Sequence, residues 1–294
     1  MNTRISTFPT VILLINLLFW QTSASAQQTN AVAPTLHFGV LSIAPPSRIY
    51  KQWQAFIDYV SEKMAQPLSI VVPRGFEKMQ KAATNGEVDF FYINSHVLYR
   101  LTQDGKAVGI LQMKNISGEV TSQSEIFVRK DSDIQTIAQL KGRDIAYVSP
   151  MGAGGYLAPK ALLRSQGINS GVEVKEKFTK NLSTSIHNVL LKDSSSGAMC
   201  GVNFDLMRKK MNMGELRILA VSDPYPEHVI AARTSLDKIT VEKFKNVVSN
   251  MKNDPAGRQI LIDMSNMKIS DFIPYDPRIE KITKRLMRQA GLVH

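Results

Sequence analysis

"SPMGAGGYLAP", residues 149–159, lies between a short apolar run, "DIAYV", and a helical pattern, "YLAPKALLRSQG". A glycine-rich turn between a strand and a helix commonly binds an anion, because backbone N–H groups and the positive end of the helix dipole point at it. The turn lacks the Lys-Ser/Thr ending of a nucleotide P-loop, and its glycines are too closely spaced for a dinucleotide fingerprint. It is therefore either an anion site or a tight turn whose glycines need positive φ.

The N-terminal segment has the order of a cleaved secretory signal. Residues 1–26 contain Arg4, then the apolar core "TVILLINLLFW", then Ala24-Ser25-Ala26. The mature chain is predicted to begin at Gln27, and no cysteine near the cleavage position offers a lipid anchor. No other run approaches the roughly 18 apolar residues that a transmembrane helix needs. The sequence predicts a periplasmic protein, with release to the medium as the alternative.

Composition restricts the possible chemistry. The formal charge of +11 in an exported protein favours anionic solutes or an acidic membrane surface, unless the charge is simply solvated, and export removes nucleic acid as a partner. The single cysteine, Cys200 in "GAMCGVN", excludes an intramolecular disulfide and is expected mid-strand as a buried, inert thiol. The five histidines have no metal-ligand spacing and no GxSxG motif occurs, so we expect no enzyme activity, metal or cofactor.

From Thr35 onward, β-rich runs alternate with helical patterns. "LHFGVLS", a helix over 47–64 and "LSIVVP" form a βαβ opening, followed by a helix over 75–85 that ends at Gly86 as the C′ residue. The strand "VDFFYI" then leads into a helix that begins near residue 94 or 95. The alternation predicts an α/β protein with mostly parallel sheets covered by helices. From Val241 onward only helices are expected.

Two segments are predicted to cross between lobes without a full helix: "SGEVTSQSEIFVRKD", residues 117–131, and "LAVSDPYPEHVIAAR", residues 219–233. They divide the mature chain into one lobe of residues 35–118 plus 226–294 and a second of residues 122–222. We expect the ligand in the cleft between these lobes and the hinge at the crossings.

Four segments together resemble a known family. In chain order they are "FGVLSIAPPSRIYKQWQAFIDYVSEKM", "NGEVDFFYIN", "IFVRKDSDIQTIAQLKGRDIAYVSPMGAGGYLAPKALLRSQGI" and "VSDPYPEHVIAAR". They are similar to phosphate/phosphite/phosphonate-type periplasmic solute-binding proteins of ABC transporters, and the similarity covers nearly the whole mature chain. The resemblance implies the two-lobed type II periplasmic-binding-protein fold, with two mixed sheets flanked by helices and a hinge between the lobes.

The anion turn departs from the family pattern. The family typically has Ser-Thr-Ser-Gly where this chain has Gly152, Ala153, Gly154 and Gly155, so three hydroxyl donors worth about 1 kcal/mol each are missing. A Ser-His-Asp set at a second helix start corresponds here to residues 183–185. A ligand-contacting tyrosine that the family has just before its "S-x-IVVR" motif is replaced by Ser122, whereas an aromatic at the start of the second helix is kept as Phe76.

Three interpretations follow from these changes. The pocket accommodates a larger or less charged ligand, or it binds an oxyanion through backbone donors, or the protein is a sensor that signals to a membrane histidine kinase. The partner is then an inner-membrane ABC permease or that kinase. The expected ligand-binding residues, whose role is binding only, are Phe76, Tyr92, Asn94, Ser95, Ser122, Met151, Gly152, Ala153, Gly154, Gly155, Tyr156, Ser183, Thr184 and Ser185. A bulky residue at Gly154 is expected to abolish binding and leave the fold intact.

Overall fold

The structure is a computed structural model that describes residues 1–3, 33–41 and 45–293. The predicted signal segment lies outside the described residues except for its first three. Residues Ala33–His294 form one compact unit. Within the described part of the chain, no helix combines the length and the hydropathy required to cross a membrane.

The described strands follow one another along the chain. They are β1 (Leu36–Val40), β2 (Leu68–Val71), β3 (Phe90–Ile93), β4 (Ala107–Asn115), β5 (Thr121–Ser122), β6 (Ser124–Arg129), β7 (Asp144–Tyr147), β8 (Lys175–Phe178), β9 (Ser196–Cys200), β10 (Leu216–Val221), β11 (Tyr225–Pro226), β12 (Val229–Arg233) and β13 (Ile269–Pro274).

The described α-helices cover the strands. They are α1 (Pro46–Met64), α2 (Phe76–Asn85), α3 (Ser95–Gln103), α4 (Ala158–Ser165), α5 (Leu182–Leu190), α6 (Gly201–Arg208), α7 (Lys238–Ser249), α8 (Pro255–Met264) and α9 (Arg278–Gln289). A π-helical turn, Ala153–Leu157, precedes α4, and short 3₁₀ turns occupy Ile137–Leu140, Met251–Asn253 and Ser265–Met267.

Local chemistry explains where the early helices begin and end. Gly86 follows α2 in the left-handed conformation, with φ of 74°, and its N–H bonds back to the helix, as the sequence predicts. Asn94 caps α3, because its side chain accepts a hydrogen bond from the Val97 N–H. α1 starts with proline in its first turn, a position where the missing N–H costs nothing. The predictions for these three helices are confirmed to within one residue.

Two sheets organise the unit. The six-stranded sheet has the order β13-β4-β12-β3-β1-β2, and the five-stranded sheet has the order β10-β6-β9-β7-β8. In the first, β1 pairs parallel with β2 and β3, while β12 and β13 pair antiparallel with their neighbours. In the second, β7 pairs parallel with β8 and β9, while β6 pairs antiparallel with β9 and β10.

The sheets are mixed, as the family resemblance implies, and not mostly parallel as the alternation alone predicts. Apart from β13, the strands in antiparallel pairs within the two sheets include those that enter or leave the crossing segments, where the chain moves between sheets without an intervening helix. The expectation of helices only beyond Val241 is wrong, because β13 forms the edge of the six-stranded sheet beside β4. Its pairing partner lies more than 150 residues earlier, so local periodicity does not reveal it.

The two crossing segments contact each other. β5 and β11 form a two-stranded antiparallel ribbon that pairs Ser122 with Tyr225 and Thr121 with Pro226. The Glu227 N–H also bonds to the Val120 carbonyl over 2.9 Å. Both chain passages between the sheets are therefore held side by side.

Apolar packing places α9 against elements of both halves of the chain. Tyr99 of α3, Ala161 of α4 and Leu286 of α9 belong to one buried cluster, which Tyr225 joins from the crossing ribbon. Separate cores lie on the faces of the six-stranded sheet, one around Trp53 and Phe56 and one around Phe91. Tyr225 thus packs the crossing ribbon against helices of both halves of the chain.

Candidate functional site

A small cavity of about 70 Å³ lies where the turn before α4, the start of α6 and the crossing ribbon meet. A cavity needs about 10–15 Å³ on this measure to hold one water molecule, so this conformation has room for a small solute. Its lining residues among those described are Leu41, Phe76, Asn94, Val148, Ser149, Gly152, Ala153, Gly154, Gly155, Leu182, Met199, Cys200, Asn203, Tyr225, Pro226 and His228.

The turn presents free backbone donors. The Gly152 N–H is bonded to the Ser149 carbonyl and the Leu157 N–H to the Gly152 carbonyl. The N–H groups of Ala153, Gly154 and Gly155, at the start of the π-helical turn, donate to no backbone acceptor among the described residues. Unpaired N–H groups at a helix start are suited to hold an anion.

The glycines of the turn are not explained by positive φ. Gly152 has φ of −75°, and neither Gly154 nor Gly155 lies in the positive range. At Gly154 the explanation is a close approach, since a Cβ there would lie 1.9 Å from the Tyr225 hydroxyl oxygen and 2.7 Å from the Cys200 Cβ. The space beside Gly154 is filled by protein, which does not favour the idea that this glycine enlarges the pocket for its ligand.

Gly155 differs from Gly154, because a Cβ at Gly155 would meet nothing within 4 Å. Gly155 also lines the cavity and is partly exposed. A side chain there could be accommodated by the turn but would extend into open space.

Asn94 links the end of β3 to the turn. Its side-chain Oδ1 caps α3 by accepting from the Val97 N–H at 2.9 Å, while its Nδ2 donates to the Met151 carbonyl at 3.2 Å. The side chain is buried, so both bonds are shielded from water. Asn94 therefore joins the six-stranded sheet to the turn that follows β7.

The crossing ribbon carries a buried carboxylate. The Ser122 hydroxyl donates to Glu227 Oε1 at 2.6 Å, and His228 Nδ1 lies 3.7 Å from Glu227 Oε2. Burial favours the neutral acid, but the His228 ring and the Ser122 hydroxyl outweigh it and lower the pKa of Glu227. His228 also stacks on Tyr92, with ring centroids 5.0 Å apart and planes inclined by 14°.

Cys200 ends β9, precedes the first residue of α6 and is of intermediate exposure as a residue, so it lies neither mid-strand nor fully buried as expected. It lines the cavity, and the Tyr225 hydroxyl lies beside it. Burial raises the pKa of its thiol to about 12, so the thiol stays protonated at neutral pH. Because the thiolate is the reactive form, a protonated thiol is consistent with the expected inert cysteine.

Six of the fourteen predicted ligand residues line the cavity together, namely Phe76, Asn94, Gly152, Ala153, Gly154 and Gly155. The remaining eight do not line it: Tyr92, Ser95, Ser122, Met151, Tyr156, Ser183, Thr184 and Ser185. Most of these have hydrogen-bond partners elsewhere in the protein, and the bonds of Ser95 and Ser185 are buried.

The hydroxyl of Tyr156 donates to Glu176 Oε2 at 3.2 Å, and its ring packs on Tyr147. The Ser185 hydroxyl donates to the Ala146 carbonyl, and the Ser95 hydroxyl donates to the Pro226 carbonyl.

The start of α5 shows why residues 183–185 do not reach the cavity. Asn181 is the cap, and its side chain accepts from the Thr184 N–H at 2.8 Å and from the Ser183 hydroxyl at 3.0 Å. Leu182, the first helical residue, lines the cavity instead. The Ser183 hydroxyl and the Thr184 N–H are therefore bonded within the helix cap.

Sequence reasoning missed Leu41, Val148, Ser149, Leu182, Met199, Cys200, Asn203, Tyr225, Pro226 and His228 as cavity residues. For most of them no local signal exists, because they meet only through the fold. "YPEH" at 225–228 did carry one, since an acid and a histidine are adjacent inside a predicted crossing. Another histidine, His96, lies two residues after Asn94 at the start of α3. It is buried and does not line the cavity.

Comparison with known proteins gives the family. The family described as "ABC transporter, phosphonate, periplasmic substrate-binding protein" matches residues 38–278. The chain belongs to this family. Its members are periplasmic substrate-binding proteins, and this chain has Gly152, Ala153, Gly154 and Gly155 at the start of the turn before α4.

Solved structures share the fold. A Xanthomonas citri protein bound to chloride ion is 23% identical, with a TM-score of 0.76 and coverage of 87% of this chain and 97% of that one. PhnD1 from Prochlorococcus marinus in complex with methylphosphonate is 15% identical, with a TM-score of 0.73 and coverage of 88% and 99%. At these identities the likeness concerns the fold alone.

A curated relative belongs to a signalling system. The tetrathionate sensor histidine kinase TtrS of Salmonella typhimurium is 27% identical over 163 residues, which are 51% of this chain and 26% of that protein. The chain therefore spans about a quarter of the length of this relative.

Proposed function

We propose that the mature chain is the periplasmic solute-binding component of an ABC transporter and captures a small anion in the cavity beside the turn of residues 149–157. The observation that carries this proposal is the set of unpaired N–H groups of Ala153, Gly154 and Gly155 at a cavity that no described carboxylate lines. The side-chain amides of Asn94 and Asn203 also line the cavity, and amide N–H groups can donate to an anion.

Capture requires that the bound anion stabilise a closed form over an open one, through contacts from both halves of the chain. Asn94 follows a strand of the six-stranded sheet, and the turn follows a strand of the five-stranded sheet. We assign the hinge to the β5/β11 ribbon, with residues 35–118 plus 226–294 as one lobe and 122–222 as the other. Residues 1–26 would be removed on export. The closed form of the mature chain would then bind an inner-membrane permease.

A second candidate role is a sensory one, in which the closed form docks on a membrane histidine kinase. The similarity to part of a tetrathionate sensor kinase favours it. Both roles use the same capture of a solute, so the first experiment addresses capture itself.

Trp53 is a suitable reporter, because it is the only tryptophan among the described residues and its ring centroid lies 4.8 Å from that of Tyr92. Its fluorescence and the melting temperature would be followed with chloride, sulfate, phosphate, methylphosphonate and tetrathionate. A saturable fluorescence change with a matching rise in melting temperature supports capture. If all these anions leave both readouts unchanged, anion capture is wrong.

A pair of variants locates the binding event. Gly155→Leu places a side chain into the open space of the cavity and should abolish the response without loss of the fold. Gly214→Leu is the matched control, since Gly214 is exposed and lies outside the cavity lining. Equal affinity in both variants would place the bound anion elsewhere.

Assays with each partner in a reconstituted membrane separate the two roles. Stimulation of ATP hydrolysis by a reconstituted permease would favour transport, whereas altered autophosphorylation of a kinase would favour sensing.

A further inference from the structure

His228 is the only side chain among the described cavity residues that can carry a positive charge. The other polar groups of the lining are amides, hydroxyls, a thiol and backbone N–H groups, which offer only partial charges. Among the described lining residues, His228 is therefore the one group that can balance the full charge of an anion bound in this cavity.

The position of the His228 ring is fixed from two sides. Its backbone carbonyl accepts from the Met113 N–H at 2.9 Å. Its ring stacks on Tyr92, whose hydroxyl is itself held by the Met113 sulfur at 2.9 Å. The stacked pair fixes the plane of the imidazole, so its nitrogens have defined directions.

Glu227 engages one of the two nitrogens. Its Oε2 lies 3.7 Å from Nδ1, and its other oxygen accepts from Ser122. Among the described residues, Nε2 of His228 has no hydrogen-bond partner. A carboxylate next to Nδ1 sets which nitrogen of an imidazole carries the proton. It leaves Nε2 of His228 available to contact a ligand.

We propose that His228 is the specificity-determining contact of the cavity, donating from Nε2 to the bound anion, and that it binds the anion most tightly as the imidazolium. This inference rests on the proposed capture of an anion. The ionised Glu227 and the imidazolium together carry no net charge, whereas Glu227 with a neutral imidazole leaves one negative charge beside the cavity. Wherever the imidazole of the free protein is neutral, binding therefore takes up one proton from solvent onto it, and affinity rises as pH falls.

The other titratable groups around His228 do not supply this charge. Burial raises the pKa of Tyr92 and of Tyr225 well above the usual value and that of Cys200 to about 12, so these three remain neutral. Glu125, which lies near Cys200, has a pKa raised by burial. It can lose a negative charge on acidification, and it therefore needs its own control.

The test measures chloride, sulfate and methanesulfonate binding by titration calorimetry. These anions do not change protonation between about pH 5 and 8, the range in which imidazole titrates. We expect affinity about tenfold higher at the acidic end than at the alkaline end, as for a hydrogen bond that gains a full charge. Repeating the titration in buffers of different ionisation enthalpy should reveal net proton uptake on binding.

Three variants assign the effect. His228→Gln keeps a donor but no charge and should bind with an affinity independent of pH, at the weaker, alkaline value. His187→Gln alters an exposed histidine and should keep the wild-type pH dependence, and Glu125→Gln should keep it as well. A pH dependence that survives in His228→Gln, or that disappears in Glu125→Gln, overturns the inference.

The outcome also separates this inference from the proposed function. If an anion binds the wild-type protein without proton uptake and with equal affinity across the range, capture stands and the role of His228 is wrong. If no anion binds at any pH, both fail. The proton-uptake measurement needs only the wild-type protein, so a folding defect in His228→Gln would not leave the inference undecided.

Discussion

The hydroxyl of Tyr225 occupies the space that a side chain at Gly154 would need. A Cβ at position 154 would lie only 1.9 Å from the hydroxyl oxygen. Tyr225 is buried in the crossing ribbon, whereas Gly154 belongs to the turn before α4. The contact thus couples the turn to the ribbon. It also replaces the expectation that a bulky residue at Gly154 affects binding alone.

Gly154→Ala is expected to destabilise the fold by about 1–3 kcal/mol, because the added methyl overpacks a filled site. Thermal or urea unfolding measures this. Gly155→Ala is the control and should leave stability nearly unchanged, since its Cβ meets nothing within 4 Å. In a Tyr225→Ala background the cost of Gly154→Ala should shrink; an undiminished cost would show that Tyr225 is not the source of the clash.

Asn94→Ala should cost about 2 kcal/mol, because it removes a helix cap and the bond to the Met151 carbonyl. Asn181→Ala is matched to it, since Asn181 caps α5 through the same Oδ1 acceptor but is exposed. It should cost about 1 kcal/mol. Anion affinity should fall only in Asn94→Ala. Equal losses of stability and equal affinities would show that the link to Met151 contributes nothing.

Local chemistry in the sequence predicts much of the fold. Gly86 ends α2 and Asn94 caps α3 because the αL residue and the side-chain cap act within one turn of the chain. β13 was missed because its strand conformation depends on pairing with β4, a distant partner. Propensity in a single window does not contain that information.

The residues of the site were predictable from sequence where local chemistry places them at the end of a strand. The glycine-rich turn and Asn94 lie at ends of strands and line the cavity, where α/β folds place ligands. Ser183 and Thr184 look equally suitable in sequence, but Asn181 uses their polar groups in a helix cap. Only the tertiary arrangement shows which polar groups remain free to meet a solute.

Tyr156→Phe should leave anion affinity unchanged and cost about 1 kcal/mol of stability, because it removes a single hydrogen bond to Glu176. Calorimetry and urea unfolding measure the two quantities. Tyr156 packs on Tyr147 and does not line the cavity. A large loss of affinity in this variant would return Tyr156 to the binding site.

Glu176→Ala should be far more damaging. It leaves the partly buried ammonium of Lys160, now 2.6 Å from Glu176 Oε1, with only the Ser170 carbonyl as a partner, a loss that should cost about 1–3 kcal/mol. Glu242→Ala is the control, since Glu242 pairs with Lys245 on the exposed side of α7 and such pairs contribute about 0–1 kcal/mol. Similar small effects in both variants would mean that the Lys160 pair is hydrated.

Stability should fall on mild acidification because of His96. Burial, reinforced by the charge of Arg100, lowers the pKa of His96 from 6.5 to about 4. Between these values the unfolded chain binds more protons than the folded one, so the free energy of unfolding decreases as pH falls. The wild-type protein should lose on the order of 2 kcal/mol across this window from His96.

His96→Leu isolates this contribution. By distance and angle neither ring nitrogen makes a hydrogen bond among the described residues, although the Gly152 backbone lies close enough to oppose the lowering of the pKa. An apolar replacement should therefore cost little stability at neutral pH. Urea unfolding at several pH values should then show a shallower decline for His96→Leu than for the wild type, while the exposed His187→Gln follows the wild type. Since carboxylates affect all three proteins alike, parallel curves for His96→Leu and wild type would mean that folding does not lower the pKa of His96.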